Sequence, residues 1–248
     1  VTGMLEEGLA AIDYRLNVRG DVNDEGPAVP RGFLRLFAHL HPPGTTAGSG
    51  RLELAEHLAS GANPLVARVW VNRVWQWVFG RGLVATPSDF GRLGAPPTHP
   101  ELLDRLAIDF VEDGWSTKRL VRRLLLTETF LRGGRPSPEG VERDPGNALL
   151  HHRPTQRLDA ESVRDALLAV SGRLEPRLGG VPVRPWRPTE DATKRLFSGP
   201  LDGDGRRSLY VERSIMAPPA FLAAFNAPAP KISTAKRDVT SVPGQALI

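Results

Sequence analysis

Apolar and polar positions along this chain fall mostly at helical spacing. The clearest case is Asn63 to Gly82. Asn63 followed by Pro64 reads as an N-cap and a first helical residue, because proline's missing N–H costs nothing there. Leu65, Val69, Asn72/Arg73, Gln76 and Phe79 then form one stripe, and Trp70, Val74, Trp77 and Val78 the adjacent one. Gly80 and Gly82 punctuate the end near Phe79. Large aromatics at this spacing predict a central helix with Trp70, Trp75 and Trp77 buried, and with Arg73 in a structural role. A shorter helix is predicted over Arg51–Ala59, with Leu52, Leu54, Ala55 and Leu58 inward. Thr98 with Glu101 reads as a capping box for a helix to about Asp113 that buries Leu102, Leu103, Leu106, Phe110 and Val111. Trp115 belongs to the turn before Ser116. Ser116 caps a helix to about Phe130, with Leu120, Leu124 and Thr127 inward. A further helix is predicted over Asp159–Val170, with Val163, Leu167 and Val170 inward and Gly172 as its stop.

The rest of the chain is less regular. Met4–Ile12 reads as the tail of a helix, and Tyr14–Val18 alternates like a short strand. Gly20–Pro30 reads as a polar turn and His41–Gly50 as a flexible loop. Arg207–Arg213 is the best strand pattern, and short helices are predicted at Pro219–Phe225 and Pro243–Leu247. The sum is a mainly α, loop-rich helical domain with two or three short β-strands. It is expected as one unit over 1–248: an irregular lead-in at 1–50, a Trp-rich helical core at 51–132, a Pro-rich spacer at 133–157 and a second helical and short-strand half at 158–248. The chain opens on Val1 and closes in mid-pattern at Ile248, so both ends read as cuts from a longer chain.

Composition changes this picture in three ways. Gly 25 and Pro 23 in 248 residues predict abundant loops. The absence of cysteine removes disulfides, thiolate nucleophiles, Cys-ligated zinc and haem-c attachment from this stretch. No apolar run approaches the roughly 18 residues of a membrane span. The basic residues number 32, of which only Lys118, Lys194, Lys231 and Lys236 are lysine, leaving 28 arginines. Arginine's planar fork suits carboxylate, phosphate or sulfate. With 28 acidic residues interspersed, internal ion pairs and solvated faces account for most of them.

Several groups could carry chemistry. Glu161 and Asp165 stand four apart, so both carboxylates share one helical face, with Arg157 and Arg164 in reach. They read either as an acid/base pair tuned by arginine or as a structural network tied to Arg68 or Arg73. Lys118, Arg119, Arg122 and Arg123 form a basic helix face that an anionic polymer or nucleic acid could use, and that solvation explains equally well. Asp89-Phe-Gly91 copies a kinase metal-binding tripeptide without its companion motifs, so Asp89 reads as a turn cap. Gly44–Arg51 resembles a phosphate loop but has the wrong spacing. His39, His41, His57, His99, His151 and His152 lack the spacing of a metal site, and Asp202-Gly-Asp204-Gly205 lacks most calcium ligands. No metal site is therefore expected. No Gly-x-Ser-x-Gly elbow occurs at a strand–helix junction.

Taken in order, the stretches Asn63-Pro-Leu65, Val71-Asn-Arg-Val-Trp75, Phe79-Gly-Arg-Gly-Leu-Val84 and Thr86-Pro-Ser-Asp-Phe-Gly91 resemble a planctomycete-type domain of unknown function. The likeness continues through Gly114-Trp115-Ser116, Arg157-Leu-Asp-Ala-Glu161, Arg164-Asp165, Gly179-Gly180, Arg206-Arg-Ser-Leu-Tyr210 and Arg237-Asp-Val-Thr240. Phe225-Asn226 departs from the usual Phe-Asp of that family, which weakens any scheme needing a carboxylate at position 226. Such domains lie at the C-terminal end of large exported proteins, after a haem-c-binding domain and a second uncharacterised domain. The resemblance therefore implies an extracytoplasmic setting, upstream domains of the same polypeptide as partners, and haem c only in those upstream domains. It implies no reaction. The expected function is an accessory or interaction domain, with polymer or glycan handling as its setting. The alternatives are an enzyme on an anionic or glycan substrate through Glu161 and Asp165, and nucleic-acid binding through 118–123.

Overall fold

The computed structural model describes residues 13–30, 32, 50–61, 63–184, 199–215 and 218–246. The expected helix at Met4–Ile12, residues 44–49 of the phosphate-like loop, His39 and His41 lie outside the described residues. The chain divides into two compact units, Val1–Leu131 and Arg132–Ile248. The architecture is mainly α and loop-rich. Eight helices and one two-stranded sheet are present among the described residues.

In the first unit, β1 (Arg15–Asn17) pairs antiparallel with β2 (Glu25–Ala28) in an irregular register. The second strand occupies what reads as a polar turn in the sequence. Helix α1 (Arg51–Ala59) has the expected bounds but the opposite facing: His57 is its buried residue, while Leu52, Leu54 and Leu58 are exposed. Helix α2 (Pro64–Phe79) starts as predicted, with Asn63 accepting from Leu65 N, and ends at Gly80 in the left-handed region. It packs on α3 (Pro100–Glu112) and α4 (Thr117–Leu125).

The buried face of α2 is Ala67, Val71, Asn72, Val74, Trp75, Gln76 and Phe79, between the two predicted stripes. Phe79 meets Trp75 at 4.3 Å and the Phe130 ring edge-on at 6.2 Å between centroids. Leu103, Leu106, Phe110, Leu120 and Leu124 close the core. Full burial of such side chains contributes about 1.5–3 kcal/mol each. Trp75 is buried as expected and Trp70 half-buried, but Trp77 is 57% exposed. Trp77 touches Trp70 edge-on at 5.9 Å. Trp77→Ala should therefore change the melting transition by about 1 kcal/mol or less, and a thermal melt checks this.

Two helix ends differ from the pattern. The capping box at Thr98 is not made. Thr98 donates its backbone N–H to Leu83 O at 2.9 Å, so α3 starts one residue later, with His99 as an uncapped N-cap and Pro100 as first residue. The predicted helix to Phe130 is broken at Leu126. The Thr127 hydroxyl donates to Leu124 O at 2.7 Å and accepts from Phe130 N at 3.2 Å, ending α4 and starting α5 (Glu128–Leu131). A threonine hydroxyl that competes for backbone groups in this way favours a helix break.

In the second unit the Pro-rich spacer carries α6 (Pro138–Arg143), capped by Ser137. Helix α7 (Ala160–Val170) is capped by Asp159 as expected and packs on α8 (Ala220–Ala224) and the turn Ser208–Tyr210. Its inward row is Ala160, Arg164 and Leu168, so Leu167 and Val170, expected inside, are exposed. Arg207–Arg213 is not a strand but a 3-10 turn flanked by single parallel bridges, Glu175 to Arg206 and Val183 to Val211. Side chains of α7 take the backbone groups a ladder would need. Among the described residues no helix is long and apolar enough to cross a membrane.

Candidate functional site

The residues picked from sequence fall in two places. In the second unit, the four-residue spacing does put Glu161 and Asp165 on one face of α7. Each is already engaged. Glu161 is paired by Arg213 and by Arg237, whose Nη1 donates to Oε2 at 2.5 Å and Nη2 to Oε1 at 3.3 Å. Two guanidiniums thus cover both oxygens of one carboxylate. Burial alone would raise the Glu161 pKa, but the Arg237 hydrogen bonds and the charges of Arg237 and Arg213 outweigh it, and the pKa lies below the ordinary glutamate value. Asp159, the helix cap, is lowered in the same way: burial raises it, while the Ser162 bonds and the same two arginines lower it further.

Asp165 accepts from Ser208 N at 2.7 Å through one oxygen and from Arg207 Nε at 3.3 Å through the other. Arg164 points away from a substrate role. Its Nη1 donates to Arg206 O at 2.8 Å and Ser208 Oγ at 3.1 Å, and its Nη2 to Asp202 O at 2.5 Å. Arg164 and Asp165 together therefore hold the chain at 202–208 against α7. Arg157 donates to Thr240 O and to Gln245 Oε1, tying the C-terminal stretch down.

The cations of this network are Arg164, Arg207, Arg213 and Arg237, all from the second unit. Of the α2 arginines expected as partners, Arg68 pairs with Asp104 of α3 at 2.6 Å and holds its pKa low through that hydrogen bond. Arg73 is half-buried, with an enclosed Nε that has no hydrogen-bond partner among the described residues.

Sequence reasoning missed Arg206, which is 2% exposed. Its guanidinium lies 4.2 Å over the Tyr210 ring and donates to Gly179 O at 2.6 Å, while the Tyr210 hydroxyl accepts from Gly179 N at 2.7 Å. Asp202-Gly-Asp204-Gly205 is a turn locked by Arg173 on Asp202 at 2.5 Å. Gly205 has φ +66°, and a Cβ there would stand 2.0 Å from Arg173 O.

In the first unit, the four-cation face of α4 splits. Arg123 bridges Asp109 at 2.5 Å and Asp113 at 3.0 Å, and Arg119 donates to Asp113 O at 3.2 Å. Lys118 and Arg122 stand exposed beside Val121, Leu125 and Leu126. Asp89 caps its own turn, accepting from Gly91 N at 2.8 Å and, through its carbonyl, from Thr86 Oγ1 at 2.8 Å. Trp115 adopts φ +59° and packs its ring on Phe110 at 5.4 Å. Trp70 Nε1 donates to Thr117 Oγ1 at 3.1 Å. Asn72, fully buried, pairs through its amide with both backbone groups of Val84, at 2.8 and 3.1 Å.

His151 and His152 meet edge-on at 4.5 Å between ring centroids, and His151 Nε2 lies 3.2 Å from Asp144 O. Among the described residues no three His, Asp or Glu side chains converge as a metal site would need.

Residues 50–248 match the model of PSD1, a protein family of unknown function (DUF1553). The chain belongs to this family. The PSD1 match spans both units from α1 onward, and so includes the Asn72 clamp and the Glu161 network. No curated protein and no solved structure matches the chain.

Proposed function

We propose that this PSD1 domain is a non-catalytic accessory and interaction domain of an exported, cytochrome-linked multidomain protein, with polymer or glycan handling as the parent's setting. The observation that carries this reading is the state of the best catalytic candidates. A general acid or base needs a carboxyl free to exchange a proton with substrate near working pH. Glu161 has two guanidiniums on its oxygens and a pKa below the ordinary range, and Asp165 is committed to Ser208 N and Arg207. Both hold α7 in place. The exported and haem-linked context rests on the ordered motifs from Asn63-Pro-Leu65 to Arg237-Asp-Val-Thr240.

The test is a turnover screen on neutral, sulfated and phosphorylated glycans with wild type, Glu161→Gln and Asp165→Asn. The expected result is no turnover by any of them, with lowered melting temperatures in both variants. A turnover that Glu161→Gln abolishes while melting is unchanged would overturn the reading in favour of an enzyme. The parent gene should also encode Cys-x-x-Cys-His upstream, and its product should show haem-c absorption. A parent without haem removes the cytochrome link.

A further inference from the structure

Among its described residues the first unit carries an apolar trough. A groove of about 630 Å³, open to solvent, is lined by Leu65, Val66, Val69, Trp70, Trp115 and Thr117. A second of about 390 Å³ is lined by Thr117, Val121, Leu125 and Leu126 with Lys118 and Arg122. The two meet at Thr117. The cause lies in the sequence of α4. Leu120 and Leu124 take its core face, and the next rows at i, i+4 spacing are Thr117–Val121–Leu125 and Lys118–Arg122–Leu126. The helix thus presents apolar surface on a second side and sets two cations along it.

We infer that this trough is a docking groove for an acidic amphipathic helix of a partner protein. This deepens the reading of the domain as an interaction module and rests on it. Three observations fix the chemistry. The floor is almost wholly apolar, with Trp70's one polar atom already satisfied by Thr117, so an occupant must bring apolar side chains. Arg119 and Arg123 are engaged by Asp109 and Asp113, with Arg105 sharing Asp109, whereas no carboxylate pairs with Lys118 or Arg122 among the described residues. The charge left at the groove is therefore positive and on one edge. The first groove is concave and open, between Leu65–Trp70 of α2 and Trp115–Thr117, and the second face of α4 leads away from it at Thr117. That suits side chains entering at i, i+3, i+4 and i+7 from a helix laid along it. A planar lipid surface fits a convex face, and a small-molecule site encloses most of its ligand. Carboxylates on one flank of the incoming helix would lie against Lys118 and Arg122 and set its direction.

The experiment uses the whole chain and three tryptophan-free synthetic peptides of about five helical turns, roughly 18 residues. One has leucine at the anchor positions and glutamate elsewhere. Its twin has lysine for glutamate. The third keeps glutamate and has serine for leucine. Binding is read from the change in the chain's tryptophan emission, to which Trp70 and Trp115 at the groove contribute, at low and high salt. The glutamate–leucine peptide should bind, more weakly as salt rises. The lysine twin should bind at least about tenfold more weakly, because like charges then face each other at the rim. The serine peptide should not bind. Lys118→Glu with Arg122→Glu, both exposed, should leave melting unchanged and reverse the order of the two leucine peptides.

No binding of the glutamate–leucine peptide at low salt would overturn the proposal, as would equal affinity for the charge twins. Vesicles of anionic phospholipid that sediment the protein without such discrimination would assign the face to a membrane. Self-association abolished by the double charge reversal would assign it to a second copy. These failures leave the non-catalytic reading standing. Only a turnover in the glycan screen ends that one.

Discussion

Asn72→Leu should destabilise the first unit by about 2–5 kcal/mol, the largest loss of any single polar replacement there. Asn72 is wholly buried on α2, and its amide serves both backbone groups of Val84, twelve residues on. Leucine matches asparagine closely in size but offers neither donor nor acceptor. Val84, itself 3% exposed, would keep an N–H and a C=O enclosed without partners. Each such orphan costs about 1–3 kcal/mol. The loop has no room to turn and find others. A Cβ on Gly82 would already lie 2.6 Å from Val84 O and 2.7 Å from the Asn72 amide, so backbone and side chain are in close contact. Chemical denaturation followed by tryptophan fluorescence measures the effect, since Trp75 lies one turn away on the same helix. A loss below about 0.5 kcal/mol, the range of an ordinary surface change, would mean that the Asn72–Val84 clamp is not what shapes the loop. Asn72→Asp should cost at least as much at neutral pH, because an unpaired carboxylate would be buried with one oxygen facing Val84 O.

What could be read from the chain, and what could not, follows from the range of the interactions. Helix α2 and the caps at Asn63, Ser116 and Asp159 are local: the residue that accepts and the amide that donates lie two or three positions apart. The facing of α1 and α7 is not local. Leu167 and Val170 fit a helical stripe, yet α8 and the Ser208–Tyr210 turn pack against the row through Ala160, Arg164 and Leu168. An arginine in that row reads as polar in any pattern. It is inward because three oxygens from 202–208 converge on its guanidinium. The misread strand at Arg207–Arg213 has the same origin. Its alternation is real, but Asp165 takes Ser208 N, and a backbone so held turns instead of extending. The pairing of Glu161 and Asp165 with arginine was legible as chemistry, since two carboxylates on one face call for cations. The identity of those cations was not, because Arg213 and Arg237 stand 52 and 76 positions away from Glu161.

That long-range closure makes the Glu161 network the place where pH should act on the second unit. The Glu161 and Asp159 pKa values are both lower in the folded chain than in ordinary glutamate and aspartate. A depressed carboxyl pKa contributes stability that is complete above the unfolded value. It is lost as pH falls through the folded value, because the unfolded chain takes up its protons first. The second unit should therefore be insensitive to pH near neutrality and should lose stability on acidification from about pH 5 downward. Glu161→Gln should cost about 1–2 kcal/mol at pH 7. That is less than the roughly 3–5 kcal/mol of a fully buried pair, since the Glu161 side chain keeps 23% exposure and water screens part of the interaction. The same variant should show a flatter acid limb, its remaining slope coming from Asp159 and the other carboxylates. Arg237→Gln, measured alone and together with Glu161→Gln, completes the cycle. If the two residues act on each other, the double variant loses less than the sum of the singles, by about 0.5–2 kcal/mol. Strict additivity at pH 7, or an acid limb as steep in Glu161→Gln as in the wild type, would show that Arg237 and Glu161 stand close without holding α7 to the C-terminal stretch.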